Sequence, residues 1–457
     1  MCKTNSNVIK ILSTVLMGAV TGTFNLLAQP VFNKALSPVT VTDVRGQQSQ
    51  NGSRNFIPDS LARLQFSGTS INDLLSFTTP VFIKNYGPGS ISTISFRGTS
   101  ASHTAIVWNG FNLQNTMLGQ PDLSLIPMAA INDIQVQAGG NSVMYGSGAI
   151  GGSIYLKSKL VYMDDSVHYV AQSQFGQFGN KQYSLQLALP VFHNSRLAFK
   201  AYSNSALNNY TFKNTAIVGS PQQKQEHAAY TQQGFLVDYE QRLTTNQKLQ
   251  FHYWVHQNNR DLPATMLQYA SIANQKDVSH KATLEWDKTG ERSKLQFRTG
   301  YFYDELRYAD ALSALVSSNY THNLTSEVEQ SFQITPKKYL RSGITNNLLW
   351  ANTRNYATPI FQWRNALFAG YQYASLNHKL MFNLNSRAER IDRLIAPLVF
   401  GIGAEWNLKS DITCKLRGSK NFRYPTFNDL YWNPGGNVNL KSENSLNAEG
   451  GLLFRKK

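Results

Sequence analysis

The 457-residue chain is predicted to fold as a transmembrane antiparallel β-barrel preceded by a small mixed α/β domain. Three observations carry this reading. Beyond about residue 165, short segments alternate apolar and polar side chains with the period of a strand that has two different faces. Tight polar turns alternate with much longer polar stretches between those segments. The N-terminus carries an export signal, yet no later apolar run approaches the ~18 residues of a spanning helix. Composition agrees. Only 15% of residues are charged, and 22 tyrosines and 25 phenylalanines are present, yet mean hydropathy is negative. Side chains that meet lipid and water in turn give this balance.

The first thirty residues, "MCKTNSNVIKILSTVLMGAVTGTFNLLAQP", place Lys3 and Lys10 before an apolar stretch from Ile11 to Leu27, closed by Ala28. This is the layout of a secretory signal peptide over residues 1–28. Ser13, Thr14, Thr21, Thr23 and Asn25 dilute the run below what a membrane anchor needs. Cys2 precedes the apolar core. Once the leader is removed only Cys414 is left, which excludes an intrachain disulfide and a cysteine zinc site. The net charge of +16 comes from scattered Lys and Arg with no basic run or helix. It therefore points to anionic lipid headgroups and not to nucleic acid.

Residues 29–60 read as a polar arm. Within it, "SPVTVTDVR" alternates Val39 and Val41 with Thr40 and Thr42 beside Pro38. Such a segment fits either strand addition to a partner's sheet edge or an ordinary edge strand. Residues 61–160 read as a compact α/β unit. "TSINDLLSFT" has a Thr/Ser cap and an apolar face, so it is expected to be a short helix. "STISFRG", "TAIVWNG" and "INDIQVQAG" are expected to be strands, each stopped by glycine. "SGAIGGSIYLKSK" leads into a strand and not a helix, and no Walker lysine follows. Its glycines therefore read as close backbone packing and not as a phosphate cradle.

Residues 161–457 are expected to form the barrel. "LQFHYWVH" sets Leu249, Phe251, Tyr253 and Val255 against Gln250, His252 and His256. "HKLMFNLNSR" sets Leu380, Phe382 and Leu384 against Met381, Asn383, Asn385 and Arg387. "YSLQLAL", "KLQFRTGYF" and "DITCKLRGS" repeat the pattern, and Cys414 faces lipid with Ile412 and Leu416. The spacing gives about fourteen strands at ~20 residues each. "TTNQ", "DKTG", "SLNH" and "LKSD" read as short turns on one side of the membrane. Residues 204–232, 257–280 and 421–445 read as long loops outside the cell. His252 and His256 point inward, with no carboxylate paired to them in the sequence.

The stretch "FRGTSASHTAIVWNGFNLQNTMLGQPDLSLIPMAAINDIQVQAGGNSVMYGSGAIGGSIYLKSK", within residues 94–159, resembles the plug of TonB-dependent outer-membrane receptors. "RGTSASH" is similar to the cobalamin-transporter branch, and "FRYPTFNDLYWNPGGNVNLKSENS" resembles a segment of the family's barrel. The resemblance implies a 22-stranded barrel enclosing the plug, in the outer membrane of a Gram-negative bacterium. It implies uptake of a large scarce nutrient, a corrinoid first among metal chelates, with a ferric siderophore or haem as alternatives. The implied partners are a TonB-type energy-transducing protein, outer-membrane lipid and the small-molecule chelate. No cofactor is implied, and calcium in the outer loops is left open.

By position in the family pattern, Pro38, Val39, Thr40, Val41, Thr42 and Asp43 resemble a TonB box that would pair as a strand with TonB. Arg97, Gly98, Gly110, Gly146, Gly148, Gly151 and Gly152 are expected to serve plug structure, the glycines by tight backbone packing. Asn85, Tyr86 and Gly87 would form one plug apex, and Asn115, Thr116, Met117, Leu118 and Gly119 another, both facing the ligand. Two departures stand out. Ala138 occupies a position where many family plugs have arginine, so one arginine–glutamate pairing is expected to be lost, with Arg97 left to pair with Glu285 or Glu405. Fourteen strands also fall about eight short, or ~160 residues at the same spacing, and "GLLFRKK" lacks the family's terminal aromatic. The chain is accordingly expected to be a fragment. A passive channel or adhesin is the alternative of a different class. An enzyme is disfavoured, because His103, His193, His227 and His322 lack matching acidic neighbours in sequence for a Ser/His or Asp/His constellation.

Overall fold

The structure, a computed structural model, describes residues 52–158, 166–375, 377 and 379–455. The expected leader and the segment Pro38–Asp43 lie outside the described residues. The N-terminal domain holds strands β1 (Asn55–Phe56), β2 (Phe82–Asn85), β3 (Ser92–Ser95), β4 (Thr104–Trp108), β5 (Phe111–Asn112), β6 (Asp133–Ala138) and β7 (Gly152–Lys157). Five of them form one sheet in the order β1-β6-β7-β4-β5, with β4 and β7 parallel. β2 and β3 make a separate hairpin. Three helices accompany them: α1 (Ser60–Gln65), α2 (Ile71–Thr78) and α3 (Ser142–Tyr145).

These elements follow the local signals. Asp59 accepts from the Ala62 amide at 2.6 Å and so caps α1. α2 starts after Ser70 and buries Ile71, Leu74 and Leu75, the one-face spacing that its sequence announces. The glycine-rich run enters β7, as expected. The core gathers Ile94, Ile106, Trp108, Leu123, Ile134, Val136, Ile154 and Leu156, none more than 2% exposed. β1 belongs to this sheet although its sequence reads as part of the polar arm.

The second body is one large antiparallel sheet. Its first strands are β8 (His168–Phe175), β9 (Lys181–Pro190) and β10 (Ser195–Ala206). A small outlying hairpin, β11 (Thr211–Lys213) and β12 (Gln222–Lys224), follows. The sheet continues with β13 (Tyr230–Thr244), β14 (Gln247–Leu262), β15 (Ala273–Thr289), β16 (Ser293–Asp310) and β17 (Leu315–Thr335). Next come β18 (Lys338–Thr353), β19 (Ile360–Ala374) and β20 (Leu380–Ile391). The short β21 (Leu394–Ile395) pairs only with β20. β22 (Val399–Asn407), β23 (Ile412–Arg423) and β24 (Glu443–Phe454) complete it, with helix α4 (Phe427–Tyr431) in the loop before β24. The sheet has 15 strands, and all but β21 follow one another in chain order.

Its two faces are those the alternation predicts. On β20, Asn383, Asn385, Arg387 and Glu389 are at most 5% exposed, while Leu384 between them is 45% exposed. Cys414 stands in register between Trp406 and Leu452, both outward and exposed. One expectation fails in part. Much of 257–280 is strand, since β14 runs to Leu262 and β15 starts at Ala273. Where a strand leaves lipid, both faces can be polar and the alternation that marks it disappears.

The sheet wraps the N-terminal domain. Gly68 lies against Gln174 of β8 and Gln182 of β9. Lys200 of β10 donates to Asn132 at 2.5 Å, and Gln232 of β13 donates to the Ser124 carbonyl at 2.8 Å. Trp108 packs on Trp254 of β14 with ring centroids 5.5 Å apart, and Phe111 packs on Phe302 of β16 at 5.6 Å. Asn421 of β23 accepts from the Ser142 amide at 3.1 Å. Asn447 of β24 donates to the Ile150 carbonyl at 3.3 Å. Partners from β8 to β24 on every side of one domain make it a plug. Among the described residues β8 pairs only with β9 and β24 only with β23, so the wall is curved but not closed.

Charged pairing along this seam differs from expectation in three ways. Arg97 pairs with Glu449 at 3.2 Å, not with Glu285 or Glu405. Glu405 instead accepts from the Gly52 amide at 3.0 Å and from Lys415 at 2.9 Å, and Glu285 accepts from Gln296 at 2.8 Å. Beside Ala138, the wall supplies the missing cation: Arg417 of β23 donates to the Gly140 carbonyl at 2.6 Å and to the Ser53 hydroxyl. The inward histidine is also paired, with His252 Nδ1 2.6 Å from Asp238, which in turn meets Lys200 at 3.1 Å. His103 lies 2.6 Å from Glu443 and His227 3.8 Å from Asp261. Strand register supplies the partner of His252, and contact of the plug with β24 supplies those of Arg97 and His103.

Deeper in the wall, Arg298 pairs with Glu327 and lies 3.9 Å from Glu329, all three nearly buried. Arg298→Leu should lower the unfolding free energy in detergent micelles by about 3–5 kcal/mol, because the buried Glu327 loses its cation and Glu329 keeps only Arg341 at 3.9 Å. Glu327→Gln in that background should recover part of the loss. Arg97→Ala, whose side chain is 60% exposed in the wild type, should cost less than about 1 kcal/mol. Urea titration followed by tryptophan fluorescence checks all three; equal losses for Arg298 and Arg97 would contradict the ranking.

Candidate functional site

The plug apex at residues 115–119 closes on itself. Asn115 Oδ1 accepts from the Met117 amide at 2.9 Å and the Leu118 amide at 3.1 Å, while the Gly119 amide donates to the Asn115 carbonyl at 2.7 Å. An asparagine suits this role because its side chain mimics a turn of backbone. α4 then docks on the apex: the Phe427 amide donates to the Thr116 carbonyl at 3.0 Å and Asn428 to the Met117 carbonyl at 3.2 Å.

α4 is itself fixed by a capping box. The Asp429 amide donates to Thr426 Oγ1 at 3.1 Å, and the Thr426 amide donates to Asp429 Oδ2 at 2.9 Å. Burial pushes the Asp429 carboxyl up, but the Thr426 amide and hydroxyl and the Arg423 guanidinium outweigh it and hold the group below the usual carboxylate range. Met117 is buried against Leu349, Tyr356 and Phe427, whereas Leu118 is 46% exposed.

Below this apex lies a recess with about 1240 Å³ of empty space, its open mouth included. Drug-sized sites usually enclose roughly 300–1,000 Å³. The plug side is apolar, with Ile91, Leu113, Met117, Leu118, Leu125 and Ile126. The wall side brings Trp254, His256 and Arg260 from β14, Asp277 and Lys281 from β15, and Asp304 from β16; Trp432 joins from the loop after α4. Arg260 sits between Asp122 at 3.0 Å and Asp277 at 3.6 Å. Lys281 lies 4.7 Å over the Trp254 ring and 4.0 Å from Asp304. Carboxylates outnumber cations in this lining. The surface is aromatic and aliphatic with a modest negative bias.

Of the expected ligand-facing residues, Asn115, Met117 and Leu118 line this recess, and Asn115 and Thr116 line a second, polar chamber of about 960 Å³ on the far side of the apex. Asn85, Tyr86 and Gly87 line neither. They form the tip of the β2–β3 hairpin, where Asn85 Oδ1 accepts from the Gly87 amide at 3.0 Å and Tyr86 is 56% exposed. That tip reaches the wall instead, through Asn208 donating to the Pro88 carbonyl at 2.8 Å. Sequence reasoning missed Trp254, Arg260, Lys281, Asp277 and Asp304. The inward parity of His252 and His256 could have found Trp254 between them.

The plug glycines divide by role. Gly110, Gly146 and Gly148 border the polar chamber, and a side chain at Gly110 would meet the Arg298 guanidinium. Gly151 and Gly152 pack on Phe96. Gly98 corrects the packing expectation: nothing lies within 4 Å of where its Cβ would stand, and its φ of +80° shows that the turn, not crowding, requires it.

Comparison with known proteins agrees with this architecture. Residues 40–153 match the TonB-dependent receptor plug domain, and residues 172–457 match the TonB dependent receptor-like β-barrel. Among curated proteins, the chain is 24% identical over 369 residues to a vitamin B12 transporter of Vibrio vulnificus and 22% identical over 368 residues to one of Photobacterium profundum. Each alignment covers 77% of this chain and 56% of the relative, so the chain spans about half the length of the curated relatives it matches. Among solved structures, a ferric enterobactin receptor of Pseudomonas aeruginosa superimposes with a TM-score of 0.73 at 15% identity, over 90% of this chain and 70% of that one. An iron transporter of Neisseria meningitidis gives 0.73 at 13% identity, over 89% and 70%. With its plug held inside a curved antiparallel wall and both parts matched, this chain belongs to the TonB-dependent receptor family.

Proposed function

We propose that the chain acts in outer-membrane import of a large, partly apolar chelate without strong negative charge, a corrinoid being the first candidate. The observation that carries this reading is the lining of the recess under Leu118 and Trp432: it is largely apolar on the plug side, and its two cations, Arg260 and Lys281, face three carboxylates, Asp122, Asp277 and Asp304, and are paired with them. A polyanionic ferric chelate would meet Asp122, Asp277 and Asp304 at close quarters, and like charges in a low-dielectric recess repel strongly. A neutral macrocycle rests on Trp254, Leu118 and Trp432 without that cost. The similarity of "RGTSASH" to the cobalamin branch and the two vitamin B12 transporters point the same way. The solved iron-chelate receptors support the fold alone.

Energy enters from the N-terminus in this reading. The segment Pro38–Asp43 pairs as a strand with a TonB-type partner, and tension on it reaches the plug through residues 52–56. Gly52 and Ser53 are tied to the wall by Glu405, Lys415 and Arg417, so this seam must yield before β1 can leave β6.

Cyanocobalamin added to the chain in micelles should quench the fluorescence of the recess tryptophans, and Trp432→Ala should weaken binding about tenfold, the usual effect of truncating an aromatic anchor. A tris-catecholate ferric complex should bind more weakly; tighter binding of that anion would reject the assignment. In cells, Val39→Pro or Val41→Pro should abolish uptake while leaving ligand binding intact, because proline removes a main-chain donor that strand pairing needs. Undiminished uptake by either variant would favour the passive channel.

A further inference from the structure

The polar chamber on the far side of the apex shares Asn115 with the recess but has the opposite balance of charge. Four arginines line it, Arg298, Arg364, Arg387 and Arg423, against two carboxylates, Glu327 and Glu389. Three of the four are matched. Arg298 pairs with Glu327, Arg387 with Glu389 at 2.9 Å, and Arg423 with Glu443 and, at 2.8 Å, with Asp429. Among the described residues, Arg364 has no carboxylate within ion-pair distance.

Arg364 is nevertheless held in place. Its Nε donates to Gln362 Oε1 at 2.7 Å, and its guanidinium lies 5.5 Å over the Tyr424 ring. Gln362 is buried, and the Tyr424 amide donates to Ser147 Oγ of the plug at 2.9 Å. Neither Nη group of Arg364 meets an acceptor among the described residues, although the side chain lines the chamber. Asn347 stands directly opposite it on β18 and lines the same chamber. The Asn347 side-chain amide likewise has no partner among the described residues. Arg387, whose side chain is only 3% exposed, gives Nε to Glu389 and leaves its own Nη groups open. A guanidinium fixed by one amide and one ring, with its fork unused, is prepared for an anion that the chain itself does not supply.

The charge and the donors limit what that anion is. One unmatched cation suits a single negative charge, not the several of a polyanionic chelate. The planar fork presents parallel N–H donors to two oxygens of a carboxylate or a phosphate group. A carboxylate has only those two oxygens, whereas a phosphate diester has one charge and four, enough for the Asn347 amide as well. We propose that the chamber is a second ligand site, for a singly charged phosphate diester, with the Arg364 fork on its charged oxygens and Asn347 on an ester oxygen. Because chamber and recess adjoin at Asn115, the diester belongs either to the imported molecule, whose apolar body then occupies the recess, or to a separate solute. Only the first source rests on the function proposed above.

The test titrates the whole chain in detergent micelles with dimethyl phosphate, read by saturation transfer to its methyl protons. Neutral trimethyl phosphate controls for charge. Dimethyl phosphate should receive saturation and trimethyl phosphate should not. Arg364→Gln should weaken binding about 10- to 100-fold, the range for a hydrogen bond to a charged group. Arg364→Lys, which keeps the charge but loses the fork, should fall in between. Arg97→Gln, which removes an equal charge outside the chamber, should leave binding unchanged. Equal transfer to both esters, or undiminished binding by Arg364→Gln, would overturn the proposal. Should Arg364→Gln fail to fold, the ester pair on the unmodified chain and the Arg364→Lys variant decide by the same criteria. Competition then identifies the source. Cyanocobalamin, which carries a phosphate diester, should displace dimethyl phosphate where the diester is the cargo's, and cobinamide, which lacks one, should not. Displacement by inorganic phosphate but by neither corrinoid would support the site with a separate solute in it. Corrinoid binding in the recess with charge-blind ester binding would overturn this site alone. Charge-selective ester binding without any corrinoid binding would instead overturn the recess assignment.

Discussion

The inward face of the wall is covered by a folded domain and not by water or a second sheet, and the rest of the structure depends on this. A strand with one face in lipid places most of its polar side chains on the other face, and a plug inside the lumen takes many of those groups out of solvent. Each buried charge then needs a partner at fixed geometry, since an unpaired one costs several kcal/mol. The wall supplies most of them itself: Arg298 with Glu327 and Glu329, Arg387 with Glu389 at 2.9 Å, and Lys200 with Asp238 and His252. Strand register makes this possible, because residues facing each other on neighbouring strands, or two apart along one strand, share a face and come within reach.

The recess follows from the same constraint. Where the plug surface turns apolar, at Leu113, Leu125 and Ile126, the opposite wall turns aromatic at Trp254, and the plug does not fill the space between. α4 and the loop after it hold the apex from outside by backbone hydrogen bonds, so Leu118 and Trp432 are presented from rigid supports. A cavity with room for a bulky ligand therefore opens at this joint between plug and wall.

Much of this was legible in the sequence, and the reasons for the rest are specific. Period-two alternation located β14, β20 and β23, because lipid and lumen impose opposite demands on alternate residues. The strand count came from turn spacing and agreed with the fold. Asn115, Met117 and Leu118 were placed beside the recess by family pattern. The partners of Arg97 and His103 were not legible, because docking of the plug against β24 sets them, and that of His252 was not because it depends on the register of β13 against β14. Asn85–Gly87 was misplaced relative to the recess because a hairpin's tip is visible in sequence but its direction is not. The extension of β14 and β15 beyond the membrane went unseen because strands surrounded by water lose the alternation that identifies them.

The division of charge between plug and wall bears on how such a plug can move. If buried cations of the wall were matched mainly by carboxylates of the plug, any displacement would strand both sets in a low-dielectric lumen. Here the deepest ion pairs are internal to the wall, while the seam consists mostly of aromatic packing, such as Trp108 on Trp254, and of side chains bonding to plug backbone, such as Arg417 to the Gly140 carbonyl and Asn447 to the Ile150 carbonyl. Ala138 fits that pattern: the cation at this point of the seam belongs to the strand that stays in the membrane, not to the domain that would be pulled. The exceptions are Arg97 with Glu449, an exposed pair, His103 with Glu443, which keeps Arg423 as a partner on the wall, and Arg260 with Asp122, in which Arg260 keeps Asp277 on its own wall. Displacing the plug therefore uncovers polar groups that water can satisfy and leaves the buried charges of the wall paired.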